Sequence, residues 1–187
     1  VEAWKFVQLA RVEGSIKNFS HYWAMMFLIA VGFWNFLGAG VFGFLINTPI
    51  VSYYEHATYL TSNHGHAALM GVYGMLAVAA ILFSSRYLIK EDAWSNKLAA
   101  TSFWCLNLGL LLMLVLNIFP AGVLQMIASF EHGFWYSRSF EFIHSESFQQ
   151  FTWLRVVGDL LFIFGGVLPL VILLLKGCFH LRPSEAP

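Results

Sequence analysis

The sequence predicts an all-α membrane protein built from four transmembrane helices. Three observations carry that reading. Hydrophobic residues make up 59% of the 187 positions and charged residues only 11%, against roughly 25% charged in an ordinary soluble domain. Four stretches are long and apolar enough to cross a bilayer core about 30 Å thick, which takes roughly 20 residues of helix. All four are continuously apolar, whereas barrel strands alternate over segments of about ten residues. The formal net charge is zero, so there is neither a basic patch for nucleic acid nor an acidic tail for a basic partner.

The first span runs from about Tyr22 to Ile46 without a charge. It stops at Asn47-Thr48-Pro49, because proline lacks a backbone donor and biases the preceding residue away from helix. The second runs from near His64 to about Tyr87, and the third from near Leu98 to about Phe130. Pro120 with Gly122 predicts a kink in the third span, and its excess length predicts tilt or emergence from the membrane. The fourth, from about Thr152 to Leu175, contains one acid, Asp159. The chain thus divides into an arm (1–20), a four-helix membrane part (21–178) and a tail (179–187). The arm is polar, mixed in charge and lacks a secretory-signal pattern. It starts on Val1 and reads as an interior stretch of a longer polypeptide.

Four spans put the arm, the second–third loop and the tail on one side. That side holds Lys5, Arg11, Lys17, Arg86, Lys90, Lys97, Lys176 and Arg182, and the other holds Arg138 and Arg155. By the positive-inside rule both ends are expected in the cytoplasm. The loop 49–63 and the third–fourth loop, with its interfacial cluster Phe134-Trp135-Tyr136, then face outward. Cys105 and Cys178 form no CxxC pair and read as small buried hydrophobes. There is no internal repeat.

Chemistry concentrates at Asn63-His64-Gly65-His66, at the outer end of the second span. Histidines separated by one residue point about 200° apart around a helix. They are poorly placed to share one metal, but each can ligate its own flat macrocycle on opposite faces. Gly65, Ala67, Ala68, Gly71 and Gly74 leave little bulk there, although small residues also serve ordinary helix packing. Imidazole is a common haem ligand. The spacing alone equally allows two interfacial histidines bonded to neighbouring helices.

The run His64-Gly65-His66-Ala67-Ala68-Leu69-Met70-Gly71-Val72-Tyr73-Gly74-Met75 resembles the tenth core helix of the haem–copper oxidase superfamily, in the form of its nitric oxide reductase branch. Phe33-Trp34-Asn35-Phe36 with Gly38-Ala39-Gly40-Val41-Phe42-Gly43-Phe44 is similar to the preceding helix. Glu131-His132-Gly133-Phe134-Trp135-Tyr136 with Arg138-Ser139 is similar to the loop after the eleventh, and Thr152-Trp153-Leu154-Arg155 with Gly158-Asp159 to the start of the twelfth. The four spans are therefore expected to be the last four core helices of that fold.

The resemblance implies that His64 is the axial ligand of a high-spin haem b and His66 one axial ligand of a low-spin haem b. It also implies reduction of two NO to N2O and water between the high-spin haem and a non-haem iron. The ligands of that iron, and the second axial histidine of the low-spin haem, have no counterpart in these residues. They are expected on upstream helices of the same polypeptide, so this stretch alone is not expected to catalyse the reaction. His21, His56, His132, His144 and His180 read as interfacial or loop histidines. Asp159 is a candidate for a quinol pocket, or alternatively a partner of Arg155 on one helix face. Arg138 and Arg155 are candidates for haem propionate contacts, or for loop ion pairs with Glu131, Glu141 or Glu146. The implied setting is the lipid bilayer of a bacterial or archaeal cytoplasmic membrane. The loop Tyr53–Leu60 and the fourth span look closer to the quinol-oxidising type than to the cytochrome c-dependent one. Two alternatives remain beside it. A non-catalytic haem b protein of the membrane would need a second histidine facing His66, and a transporter would need polar groups at mid-span, where Asn35, Asn107 and Asn117 are the candidates.

Overall fold

The computed structural model describes Gln8 and residues 19–181. Most of the arm, with Lys5, Arg11 and Lys17, and the end of the tail, with Arg182, lie outside the described residues. The rest is helical: α1 (Tyr22–Asn47), α2 (Pro49–Glu55), α3 (Tyr59–Leu88), α4 (Asn96–His132), α5 (Phe140–Ile143) and α6 (Glu146–Cys178). Of these, α1, α3, α4 and α6 are long and apolar enough to cross a membrane, as a multi-pass membrane protein requires. The only strand-like pairing among the described residues is a single bridge between Ile89 and Leu181.

α1 ends where the sequence says it should. Thr48 is extended at φ −67° and ψ 121°, and Pro49 opens α2 at a position where its missing N–H costs nothing. Two starts come earlier than hydropathy suggests. α3 begins at Tyr59 rather than near His64, because the Thr58 hydroxyl caps it by accepting from Leu60 N at 3.2 Å. α6 begins at Glu146 rather than near Thr152. Polar first turns are invisible to an apolar-run criterion, yet they are helical.

Every spanning helix contains one widened π turn: Asn35–Phe42, Leu69–Gly74, Met113–Ile118 and Leu161–Val167. In α4 and α6 that turn lies just before Pro120 and Pro169. An interior proline removes a hydrogen bond and its ring collides with the carbonyl a turn earlier. A turn with i→i+5 spacing makes room for that ring. α4 accordingly runs uninterrupted past Pro120 for 37 residues. At 1.5 Å per residue this is about 55 Å, so the helix outruns a bilayer core.

α4 is the central helix, with 44% of its most apolar window buried against 22 to 28% for the others. α1 packs on α3, and α6 packs along α4. Glycines set the closeness of these contacts. A Cβ on Gly38 would sit 2.6 Å from the Ala67 Cβ, one on Gly71 2.5 Å from Trp34 Cγ, and one on Gly122 2.4 Å from Leu60 N. Away from water, polar side chains inside the bundle need internal partners. Trp34 Nε1 donates to Asn107 Oδ1 at 2.8 Å, and Asn117 Nδ2 donates to the Phe151 carbonyl at 2.9 Å. Asn107 and Asn117, two of the three mid-span asparagines, thus bond between helices. Cys178 is exposed and Cys105 half-buried, which corrects the reading of both as buried hydrophobes; Cys178 is the last residue of α6 and has run out of neighbours.

Gly122→Ala is expected to lower the melting temperature of the purified protein, at a cost of about 1–3 kcal/mol, because backbone atoms of α3 cannot step aside. Gly32→Ala, whose added Cβ would meet nothing within 4 Å, is the control and should leave it unchanged or slightly higher.

Candidate functional site

The first turns of α3 present the two histidines of the motif in opposite directions. His64 faces α1. Its Nδ1 lies 2.8 Å from the Gly38 carbonyl, within the π turn of that helix, and a Cβ on Gly43 would come 3.1 Å from its Cε1. Two glycines on α1 therefore make the space in which this imidazole lies. His66 faces α6. Its Nδ1 lies 2.9 Å from the Ser62 carbonyl one turn earlier, and its Nε2 is 3.4 Å from Arg155 Nη2. Gly65 between them would meet nothing with a Cβ.

A backbone carbonyl can only accept, so each Nδ1 carries the proton and each Nε2 keeps its lone pair. That tautomer, oriented by a carbonyl, is the one a metal-binding histidine needs. On His64 nothing among the described residues bonds to Nε2. On His66 the Arg155 guanidinium occupies that position, and a metal at Nε2 requires it to swing aside. Arg155 is a long side chain about one-third exposed and has the freedom to do so.

Arg155 also pairs with Asp159 one turn on, at 3.1 Å from Nε to Oδ2 and 3.3 Å to Oδ1. The structure thus brings three of the sequence-predicted residues, His66, Arg155 and Asp159, into one line. Arg138 is elsewhere. Its Nη1 donates to the Phe134 carbonyl at 2.7 Å and to the Ser137 and Ser129 hydroxyls at 2.6 and 3.3 Å. Its Nη2 donates to the His56 carbonyl, and its guanidinium lies 3.6 Å over the Phe134 ring. Partial burial lowers its pKa. Neither arginine pairs with Glu131, Glu141 or Glu146 among the described residues, so the loop ion pairs expected as an alternative do not form.

The remaining histidines are dispersed. His21 packs against Phe83 and Tyr87 at the opposite end of the bundle, His132 meets Tyr136, and His144 stacks on Phe140. None of these faces His66. Among the described residues there is no group of three or more His, Cys, Asp or Glu side chains placed to hold a metal ion.

Sequence reasoning passed over the buried polar groups at the histidine end of the bundle. Glu55, Asn63, Gln125 and Ser137 are all buried. Gln125 Oε1 accepts from Tyr59 N at 2.8 Å while its Nε2 donates to the Ser137 carbonyl at 3.2 Å, which ties the start of α3 to the loop after α4. Glu55 accepts from the Thr61 hydroxyl at 3.1 Å. Burial raises its pKa; the Thr61 bond and the neighbouring His56 and His64 act the other way but do not cancel the effect. The one signal available in the sequence was an acid directly before a cap residue pattern, His56-Ala57-Thr58, which does not distinguish a buried carboxyl from a solvated one.

Residues 5–161 match the family described as cytochrome c and quinol oxidase polypeptide I. The chain belongs to that family. It is a family of haem-bearing oxidoreductases, and the four apolar helices with opposed imidazoles on α3 accord with membership. The chain is also similar to a subunit of the nitric oxide reductase of Stutzerimonas stutzeri, at 29% identity over 141 residues. That alignment covers 70% of this oxidase-family chain but only 28% of the other protein.

Removing the Arg138 guanidinium with Arg138→Ala should loosen the loop after α4 by about 1–3 kcal/mol, because it strips donors from buried hydroxyls and carbonyls. Hydrogen exchange should rise around residues 133–139 and 56–58. The haem content of the complete protein should be unchanged; its loss would return Arg138 to the propionate role.

Proposed function

We propose that this chain is the part of a respiratory nitric oxide reductase that provides one axial ligand to each of two b haems. The observation that carries the reading is the pair of imidazoles on α3, each with Nδ1 turned to a carbonyl and facing opposite helices. Family membership and the similarity to a nitric oxide reductase from Stutzerimonas stutzeri support it. In this reading His64 holds the high-spin haem and His66 the low-spin haem.

The overall reaction takes two NO, two electrons and two protons to N2O and water. When bound, the iron centres would supply the electrons and a site for the two small neutral reactants. The residues of this chain orient and charge-balance. The Gly38 carbonyl, accepting from His64 Nδ1, fixes the ring plane and raises the basicity of Nε2. The Ser62 carbonyl does the same for His66. Arg155 sits beside His66 and offers a guanidinium for a haem propionate, with Asp159 keeping its position. Asp159, at the far end of the same line, is placed to accept a proton from a quinol hydroxyl. In this reading Arg138 serves the loop instead, since its terminal nitrogens donate to Phe134, Ser137 and His56.

The non-haem iron ligands and the second axial histidine of the low-spin haem belong to upstream helices, so the stretch by itself is inactive. Its ends follow the positive-inside orientation, with the histidine pair, α2 and the loop after α4 toward the outer face. Quinol is the proposed electron donor; the named relative leaves cytochrome c as the second reading, because the aligned part of that protein excludes most of its length.

In the complete polypeptide His64→Ala should abolish the high-spin haem signal and NO turnover while keeping the low-spin spectrum. His66→Ala should do the reverse to the two spectra. Optical and electron paramagnetic resonance spectra of the two variants check this, and retention of both haems in either variant sinks the assignment. Asp159→Asn should raise KM for a quinol analogue by tenfold or so, about 1.4 kcal/mol, while leaving both haem spectra intact; an unchanged KM removes Asp159 from the donor site.

A further inference from the structure

Glu55 is the last residue of α2, one position before the exposed His56, yet it is only 2% exposed. Its side chain lines a partly open cavity of about 210 Å³ between α1, α2, α3 and α4, with Phe42, Ile46, Asn63, Phe119 and Val123 among the walls. Among the described residues, Glu55 is the one titratable side chain lining that cavity. The groups that act on it electrostatically are His56 on its own segment and His64 on α3.

The second observation is independent of the carboxyl. Asn63, 1% exposed, lines the same cavity, and its Oδ1 has no hydrogen-bond partner among the protein groups. A buried amide oxygen without a donor is costly and marks a missing donor. Oδ1 can only accept, and the volume exceeds what one water needs. A water that bonds to Asn63 requires something to anchor it in an otherwise apolar wall, and the Glu55 carboxyl is the polar group at hand. Asn63 adjoins His64 in the chain, and His64 acts electrostatically on Glu55, so the cavity lies near the residue on which the proposed reaction centres.

We propose that Glu55 is a proton-holding residue of the outer face, which passes its proton through water in this cavity toward the His64 side of α3. This inference rests on the reading of the chain as a proton-consuming reductase. In the step, the carboxyl O–H bond breaks and its proton moves to a cavity water. The carboxylate that remains is held by the Thr61 hydroxyl, which already donates to it. A proton from the outer aqueous phase, arriving past exposed His56, restores the acid.

The experiment uses the complete polypeptide in lipid nanodiscs. Infrared difference spectra of wild type against Glu55→Gln at pH 7 should show a protonated-carboxyl C=O band that shifts in D2O and is absent from the variant. NO turnover of Glu55→Gln should fall on the order of 10- to 100-fold, with both haem spectra unchanged, and Glu55→Asp should recover part of it. Thr61→Val should keep the band and shift the alkaline limb of the pH–rate profile upward. Absence of the band in wild type overturns the proposal, as does a normal rate and pH profile in Glu55→Gln. Altered haem spectra in wild type or failure to turn over NO would instead strike the proposed function, while the infrared band still decides the protonation of Glu55.

Discussion

α1 and α3 come close because a glycine stands on one side of each contact. Gly38 lies against Ala67, and Gly71 lies against the flat face of Trp34. Because nothing intervenes, the Gly38 carbonyl comes within 2.8 Å of His64 Nδ1, and Gly43 leaves the space in which that ring lies. In lipid, where tails are as apolar as leucine, helices associate through close packing and hydrogen bonds rather than through escape from water. The same small residues therefore hold the bundle together and choose the histidine tautomer. Trp34, anchored by its bond to Asn107 of α4, transmits that registry to the central helix.

On the other face of α3 the construction is electrostatic. His66, Arg155 and Asp159 form a line in which a guanidinium lies between an imidazole and a carboxylate. The ion pair is partly exposed within this chain and would contribute little to stability by itself. Its role is positional: it keeps a guanidinium beside an imidazole nitrogen without committing it there. The contrast with Arg138 is instructive. That side chain donates through both terminal nitrogens to carbonyls and hydroxyls, and it acts as a clasp between the end of α2 and the turn after α4.

Much of this was legible from residues alone. The number of spans followed from run length and absence of charge, the stop of α1 from Thr48-Pro49, and the opposed directions of His64 and His66 from the geometry of one intervening residue. What stayed hidden was whatever depends on tertiary burial. Glu55 reads as an ordinary loop acid, and only the closure of four helices around it shows a group withdrawn from water. Asn63 is similar: beside two histidines it looks like a polar first turn, yet it is among the most buried side chains. The π turns were also unreadable, since a turn with one more residue than usual leaves the hydropathy of a span unchanged. The one in α4 lets that helix continue beyond Pro120 without a break.

Those widened turns bear on how the spans tolerate changes in length. A π turn holds roughly one residue more than an α turn, and one residue corresponds to about 100° of helix rotation. Deleting a single residue within Leu69–Gly74 can be absorbed by tightening that turn, which leaves both halves of α3 facing as they do now. The same deletion a turn earlier, between His64 and Ala68, would swing the histidine pair a quarter-turn relative to α1 and α6. Each spanning helix thus carries one place where its length is negotiable, and in α3 that place begins only a few residues beyond the pair.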